Sequence, residues 1–450
     1  MAKVWQKNNE KLDPVIEKFE VGLDYLYDSK LFKYEIVSSI AHALQLEKIG
    51  ILTKEETTDI VKTLKGLYKK YGNYFPLTQE DEDIHSKVEF LLTQELGDIG
   101  KKIHTGRSRN DQVITIVRLF EKEELLILTL NYLELLEEIL KLAEEEGEKI
   151  LPGYTHTKQA MLINVKFWLT GFVELAMDNI KLIKNIYELI DANPLGSGSG
   201  FGVPLKLDRE YTAKLLGFSK VQLSPMAVQN SRGKYEALIV DAFWNIMNDF
   251  SRMAADLLTF NMDELLFVKT TDAITTGSSI MPQKKNFDVM ELIRAKANVI
   301  LSYSQGIKSI INGLISGYNR DTQEIKELLI KSFIMTKDSI NALKVVIENI
   351  SFDEEAVLEK LSKGIFATEI AYDYVKNGKS FRDAYKEAAM QIENITITQK
   401  LAKHSIEIRL SPGSPATIDL KKYKTQIEKE KKYFNDLYKQ FTEKLSDLLE

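Results

Sequence analysis

The stretch that decides the fold is Leu125-Leu126-Ile127-Leu128-Thr129-Leu130-Asn131-Tyr132-Leu133-Glu134-Leu135-Leu136-Glu137-Glu138-Ile139-Leu140-Lys141-Leu142. Leu125, Leu128, Tyr132, Leu135, Ile139 and Leu142 recur at the spacing of one helix face. The pattern sits inside residues 111–146, which hold no proline. It therefore predicts a helix far longer than the globular average. Similar patterns run over about 160–190, 234–260, 291–314 and 321–350. Helices of this length cannot bury their apolar stripes locally, so they are expected side by side in a bundle. Alternating patterns of the strand type are scarce, and the fold class read from the chain is all-α.

Outward from this core the chain is more broken. Residues 1–107 carry shorter helical runs ended by Gly50, Gly72-Asn73 and Pro76, and read as an N-terminal helical domain. Residues 108–358 read as the central long-helix domain. Residues 359–450 read as a small C-terminal helical domain, interrupted at Ser411-Pro412-Gly413-Ser414-Pro415. The charge run 428–432 is most simply a solvated helix face.

Composition narrows the chemistry. With 44% hydrophobic and 28% charged residues in 450, the chain can build a large core. It has no cysteine, which excludes disulfides and thiolate metal sites, and its five histidines show no His-Glu-x-x-His spacing. A zinc enzyme is therefore not expected. A net charge of −6 argues against nucleic acid as a partner, because phosphate binding wants a basic face. No window approaches 18 uncharged apolar residues, and the first residues lack a signal-peptide core, so a cytoplasmic protein without a membrane partner is expected.

Polar constellations interrupt the helices. Residues 277–286 read Gly-Ser-Ser-Ile-Met-Pro-Gln-Lys-Lys-Asn, with Glu291 in the helix start that follows. Hydroxyls, ammonium groups and an amide thus share one loop, which could close over an anionic substrate; a solvated surface loop would look the same. His104-Thr105-Gly106-Arg107-Ser108-Arg109-Asn110-Asp111-Gln112 directly precedes the first long helix. It offers free N–H groups and two planar cations suited to carboxylates. Pro152-Gly153-Tyr154-Thr155-His156-Thr157-Lys158-Gln159 lies between two long helices and carries a histidine, the natural acid or base near neutral pH. Leu195-Gly196-Ser197-Gly198-Ser199-Gly200-Phe201-Gly202 lacks the glycine order of a nucleotide loop, and reads as a connection allowing close backbone approach. Tyr318-Asn319-Arg320-Asp321-Thr322-Gln323-Glu324-Ile325-Lys326 opens another helix, with Gln323 and Lys326 on one face.

Together these stretches resemble the fumarase/aspartase superfamily, and within it the argininosuccinate lyase branch, which also includes delta-crystallin. Further matching pieces are Glu82-Asp83-Ile84-His85, Phe366-Ala367-Thr368-Glu369 and Phe381-Arg382-Asp383-Ala384. The loop pattern Ser-Ser-x-Met-Pro-x-Lys-x-Asn is shared across the superfamily. The His-Thr-Gly-Arg-Ser-Arg-Asn-Asp-Gln run points to the argininosuccinate branch. The resemblance implies a three-domain helical subunit, assembled as a homotetramer around a twenty-helix core, with active sites shared between subunits. It implies the reversible anti-elimination of fumarate from argininosuccinate, giving arginine, without metal or organic cofactor. It also implies catalytic roles for His156, Ser278, Lys284 and Glu291. Asn110, Thr155, Tyr318, Gln323 and Lys326 match substrate-binding positions; Arg107, Arg109, His85 and Asn286 are expected at the same site. Which of Ser278 and His156 removes the proton is left open. An adenylosuccinate-type lyase and a structural, crystallin-like homologue are the alternatives.

The chain departs from the family in places. Val4-Trp5-Gln6-Lys7 stands where the family carries Trp-Gly-Gly-Arg-Phe. The family's N-terminal substrate serine has no counterpart in 19–27, where Gly22 or Asp24 is offered. His156-Thr157-Lys158 replaces His-Leu-Gln, Phe287 replaces a proline, and the tail matches poorly.

Overall fold

The structure is a computed structural model that describes residues 13–450; Val4–Lys7 lies outside the described residues. The first part of the chain is a set of short helices: α1 (Pro14–Val21), α2 (Asp24–Asp28), α3 (Phe32–Lys48), α4 (Lys54–Tyr71), α5 (Ile84–Leu96) and α6 (Asp98–Lys101). Then comes α7 (Arg109–Glu145), 37 residues long. Ser108 caps it, accepting from the Asn110 N–H, while Asp111 reaches back to the Ser108 N–H, a reciprocal capping box.

The expected helix at 160–190 is shorter. A hairpin of β1 (Ile150–Thr155) and β2 (Lys158–Asn164) comes first, and α8 (Val165–Ile190) starts only after Asn164 caps the Phe167 N–H. Two-residue strands β3 (Ala192–Asn193) and β4 (Lys220–Val221) pair in parallel, with α9 (Arg209–Leu215) between them and α10 (Pro225–Asn230) after. α11 (Lys234–Phe260) leads to β5 (Val268–Thr270), then to β6 (Thr276–Gly277) and β7 (Lys285–Asn286), which pair as the stem of a small hairpin. α12 (Asp288–Ile311) and α13 (Ile325–Glu348) follow, the latter after a 3-10 turn at Arg320–Glu324 where a continuous helix was expected. The chain closes with β8 (Ile350–Phe352), α14 (Glu354–Lys360), α15 (Ala367–Lys376), α16 (Phe381–Gln391), α17 (Gln399–Glu407) and α18 (Leu420–Leu449).

The fold is all-α, with four two-stranded pieces of sheet among the described residues. α7, α8, α11, α12 and α13 pack side by side as the bundle. The poorly matching tail is not a free appendage. α18 lies antiparallel along α7, because Lys424 pairs with Glu144 and Lys431 with Glu137. Its buried Ile427, Phe434, Phe441 and Leu448 recur every seven residues, the spacing of a helix seam. Lys122 of α7 is buried under the rings of Phe218 and Phe441, bonded to Asp191 and to the Gly217 carbonyl. Burial lowers its pKa to about 8. No helix among the described residues is long and apolar enough to cross a membrane.

Candidate active site

One end of the bundle carries a cavity of about 250 Å³ where the N-termini of α7 and α13 meet α2 and the turn before α5. Arg109, Asn110, Tyr318, Gln323 and Lys326 all line it. The structure therefore brings together five residues from two stretches that are far apart in sequence. Five carboxylates (Glu20, Asp24, Asp28, Glu82 and Asp83) face four cations (Arg109, Arg232, Arg320 and Lys326) in the same wall. A ligand carrying both carboxylates and cationic groups could find partners for each.

The buried Lys326 ammonium donates to Asp24 and Asp28, each at 2.6 Å. Burial alone would lower its pKa; the two carboxylates outweigh burial and raise it. Asp24 moves up as well, to about 6, because burial and the neighbouring Asp28 outweigh the one lysine it shares. Of the two residues offered for the missing N-terminal serine, Asp24 is the one in the cavity wall. The Arg109 guanidinium donates to Glu82 at 3.0 Å and lies 3.3 Å from Asp83. Arg320 donates to the Glu20 carboxylate, and Gln323 to the Glu20 carbonyl. Arg232 lies over the Tyr318 ring, 5.0 Å from its centroid. Arg232, Arg320 and Glu20 were not singled out from sequence. Arg232 precedes Gly233 at the start of α11, much as Arg107 and Arg109 flank the start of α7, and that was the one usable signal.

Arg107 and His85 do not line this cavity. Both are buried behind it around Glu35: His85 Nδ1 meets one oxygen at 2.6 Å, and Ser39, which accepts from Arg107, donates to the other at 2.9 Å. Burial would lower the His85 pKa, but Glu35 raises it overall. A histidine with a raised folded pKa contributes stability that is full below its unfolded value near 6.5 and lost as pH rises through the folded value. The stability gap between the native chain and His85→Gln, measured by urea unfolding, is thus expected to be larger at pH 6 than at pH 9. A gap that stays constant or widens with pH would contradict the buried pair.

The glycine-rich stretch has its explanation here. Asp111, whose first oxygen serves the α7 capping box, accepts the Gly196 and Gly198 N–H groups at 3.0 and 2.9 Å on its second. Both glycines have positive φ, and a Cβ at Gly198 would lie 3.1 Å from the Gly202 carbonyl oxygen. The loop wraps the chain's own carboxylate and thereby fixes the start of α7.

The remaining site residues stand at the other end of the molecule. At about 1.5 Å per residue, α7 spans about 55 Å. The β1–β2 hairpin comes only after its far end. Thr155 and Lys158 are register partners, so His156 and Thr157 form the turn, exposed and with φ of 52° and 62°. Two consecutive side chains in the left-handed region, one of them β-branched, are a strained way to present a histidine. Gln159 fastens the hairpin by bonds to the Lys360 carbonyl and the Ser362 N–H.

The serine loop belongs to this far end too. β5, just before it, pairs with β8, and Lys149 and Ile150, at the start of the first hairpin, bond to Phe352 and Glu354. α12, about 36 Å long, separates the loop from the Tyr318 turn. Within the loop the Ser278 hydroxyl accepts the Met281 N–H at 3.1 Å, and β6–β7 pairing closes the stem at Thr276 and Asn286. Ser279 and Lys284 are exposed, Ser278 and Asn286 half-buried, and Glu291 lies exposed in the first turn of α12. Thus a single chain holds the mixed-charge cavity at one end and His156, Ser278, Lys284 and Asn286 at the other. Among the described residues no group of three or more His, Asp or Glu side chains could hold a metal ion.

A family model described as "Lyase" matches residues 7–302. The argininosuccinate lyase of Thermotoga neapolitana is 40% identical over 388 residues, which is 86% of this chain and 97% of that protein. Those of Sorangium cellulosum and Stenotrophomonas maltophilia are 38% and 37% identical, each over 93% of this chain and at least 96% of the relative. In fold, the chain is similar to an EDDS lyase in complex with formate (TM-score 0.82, 21% identity, 98% of this chain and 96% of that one). It is also similar to a class II fumarase from Schistosoma mansoni (TM-score 0.71, 17% identity, 91% and 93%).

Proposed function

Because this chain belongs to the argininosuccinate lyase family, we propose that it splits argininosuccinate reversibly into arginine and fumarate, the last step of making arginine. The reading rests on identity of 36–40% over most of the chain, joined to a cavity that gathers Arg109, Asn110, Tyr318, Gln323 and Lys326. The substrate carries carboxylates, an ammonium and a guanidinium-like group. A cavity with four cations and five carboxylates has partners for all of them.

Elimination takes a proton from a carbon beside a carboxylate, and the electron pair left behind then expels the guanidino nitrogen. In our assignment Ser278 removes the proton and His156, oriented by Glu291, protonates the departing nitrogen. The intermediate holds two negative charges on one carboxyl group. Lys284, Asn286 and the N–H groups of the Ser278 loop meet that charge; one such donor is worth about 3–4 kcal/mol in comparable sites. Thr155 and Asn110 hold the substrate carboxylates. Arg107 and His85, behind the wall, support Arg109 and the α7 start.

The cavity end and the acid/base end of one chain are separated by about the length of α7, so we propose that sites form between subunits of a homotetramer. Leu175, Leu182 and Leu189 support this: they are exposed on one face of α8 at seven-residue spacing, ready for another helix. A cytoplasmic location fits a chain without cysteines. The test is direct. Purified protein given argininosuccinate is expected to generate the ultraviolet absorbance of fumarate, unchanged by a chelator, and to leave adenylosuccinate untouched. No absorbance change, or turnover of adenylosuccinate instead, would refute the reading.

A further inference from the structure

We propose that Arg232 and Gln229 hold a carboxylate in a second chamber, which adjoins the substrate cavity at the Tyr318 ring. The chamber does not depend on the reaction next door; only the presence of arginine in the cavity rests on the lyase reading.

This chamber, of about 270 Å³, lies where the junction of α10 and α11 meets the loop between α12 and the Tyr318 turn. Arg232 and Tyr318 line both spaces, with the guanidinium 5.0 Å from the ring centroid. The loop is tied down beside it. The Gly317 N–H donates to the Asn230 side-chain oxygen at 2.8 Å, and the Asn230 amide donates to the Ser316 hydroxyl at 3.3 Å.

Charge sets the chamber apart from the cavity. Three of the four cavity cations already have carboxylates: Arg109 pairs with Glu82, Lys326 with Asp24 and Asp28, and Arg320 with Glu20. Arg232 has no ion pair among the described residues, and its Nη1 is buried without a hydrogen-bond partner. Only 8% of the residue is exposed, and a guanidinium does not lose its proton. A buried cation wants an anion; water would satisfy its N–H groups and leave the charge unmatched. Gln229, 3% exposed, leaves both amide atoms without a partner in the same chamber. Its stem is held by the glycine-rich loop, since a Cβ at Gly200 would lie 2.9 Å from Gln229 Cγ.

A carboxylate answers this set, pairing with the guanidinium and accepting from the Gln229 amide. No lining residue of the chamber is Asp or Glu among the described ones, so an ammonium finds no partner inside. Ile311, Leu314 and Ile315 suit an apolar remainder. Two sources fit. One is an amino acid in the cavity, whose carboxylate reaches past Tyr318 while its ammonium stays among the cavity's carboxylates. The other is a separate small carboxylate.

The test compares full-length wild type with Arg232→Gln, which removes the charge, and Arg232→Lys, which keeps one. Calorimetric titration uses arginine, agmatine (arginine without its carboxylate) and butyrate, the last with and without saturating arginine. If the carboxylate belongs to the cavity's ligand, Arg232→Gln is expected to weaken arginine about tenfold or more and agmatine less than about threefold. If it belongs to a separate molecule, butyrate is expected to bind wild type in the presence of arginine. Arg232→Gln then weakens butyrate about tenfold or more and leaves arginine unchanged. In either case Arg232→Lys is expected to stay closer to wild type. Equal losses for arginine and agmatine, arginine and butyrate both unaffected by Arg232→Gln, or no binding of either to wild type would overturn the proposal. Should Arg232→Gln fail to fold, Gln229→Leu is expected to weaken the same ligand about threefold or more, and no change there would overturn the proposal as well. If wild type forms no fumarate from argininosuccinate, the lyase reading fails by itself; the butyrate titration still decides the chamber.

Discussion

Ser278→Ala is expected to lower kcat by about two to four orders of magnitude while argininosuccinate still binds with a dissociation constant near that of wild type. The expectation follows from the placement of the serine. Ser278 is half-buried at the mouth of the β6–β7 stem, and its hydroxyl already accepts a loop N–H, which fixes its direction. In the proposed mechanism, the charge that develops after proton removal is met by Lys284, Asn286 and the loop backbone. Losing the hydroxyl removes the proposed acceptor of the proton but leaves those donors for the ground-state carboxylates. Ser279, exposed one residue further on, makes no such bond, and Ser279→Ala is expected to cost less than about tenfold. Single-turnover kinetics together with equilibrium binding separate the two effects. Equal losses in the two variants, or a larger loss for Ser279→Ala, would show that the other hydroxyl reacts.

The long helices were legible because periodicity acts within one segment. The 111–146 and 234–260 patterns correspond to α7 and α11 within two residues, since the apolar stripe and the caps at Ser108 and Gly233 agree. The start of α8 was missed for an equally local reason. Met161, Leu162 and Ile163 form a short apolar run, which suits a strand or a buried helix alike. Asn164, a good capping residue, was the available signal for the true start. The hairpin itself was hidden because its turn is His156-Thr157, without the glycine or asparagine that usually marks positive φ.

The site was legible as residue types and not as geometry. Arg109, Tyr318, Gln323 and Lys326 could be named because the polar stretches that hold them, each near a helix start, resemble those of the family. Their partners could not be. Lys326 meets Asp24 and Asp28 across 302 and 298 residues of chain, and no local pattern announces such a pairing. The same holds for Arg107 and His85, placed in the site by motif and found around Glu35 behind it. The glycine-rich stretch shows the reverse case. Its composition indicated close backbone approach, and only the fold identifies Asp111 as what is approached.

We propose that no single chain holds a complete site, because α7, about 55 Å long, stands between Arg109 and the hairpin that carries His156. Subunit complementation tests it most directly. His156→Asn and Arg109→Ala are each expected to be inactive, the first for want of the proposed proton donor, the second because the cavity loses a cation that both Glu82 and Asp83 face. Mixed in equal amounts, dissociated and reassembled, they should form sites that draw the cavity from one lesion's carrier and the hairpin from the other's. With random assembly, about one quarter of the sites take both ends from intact copies. The predicted result is recovery of about a quarter of the activity of a wild-type control treated the same way. Mixtures that stay inactive while that control recovers, or a native mass measurement showing an active monomer, would contradict the account.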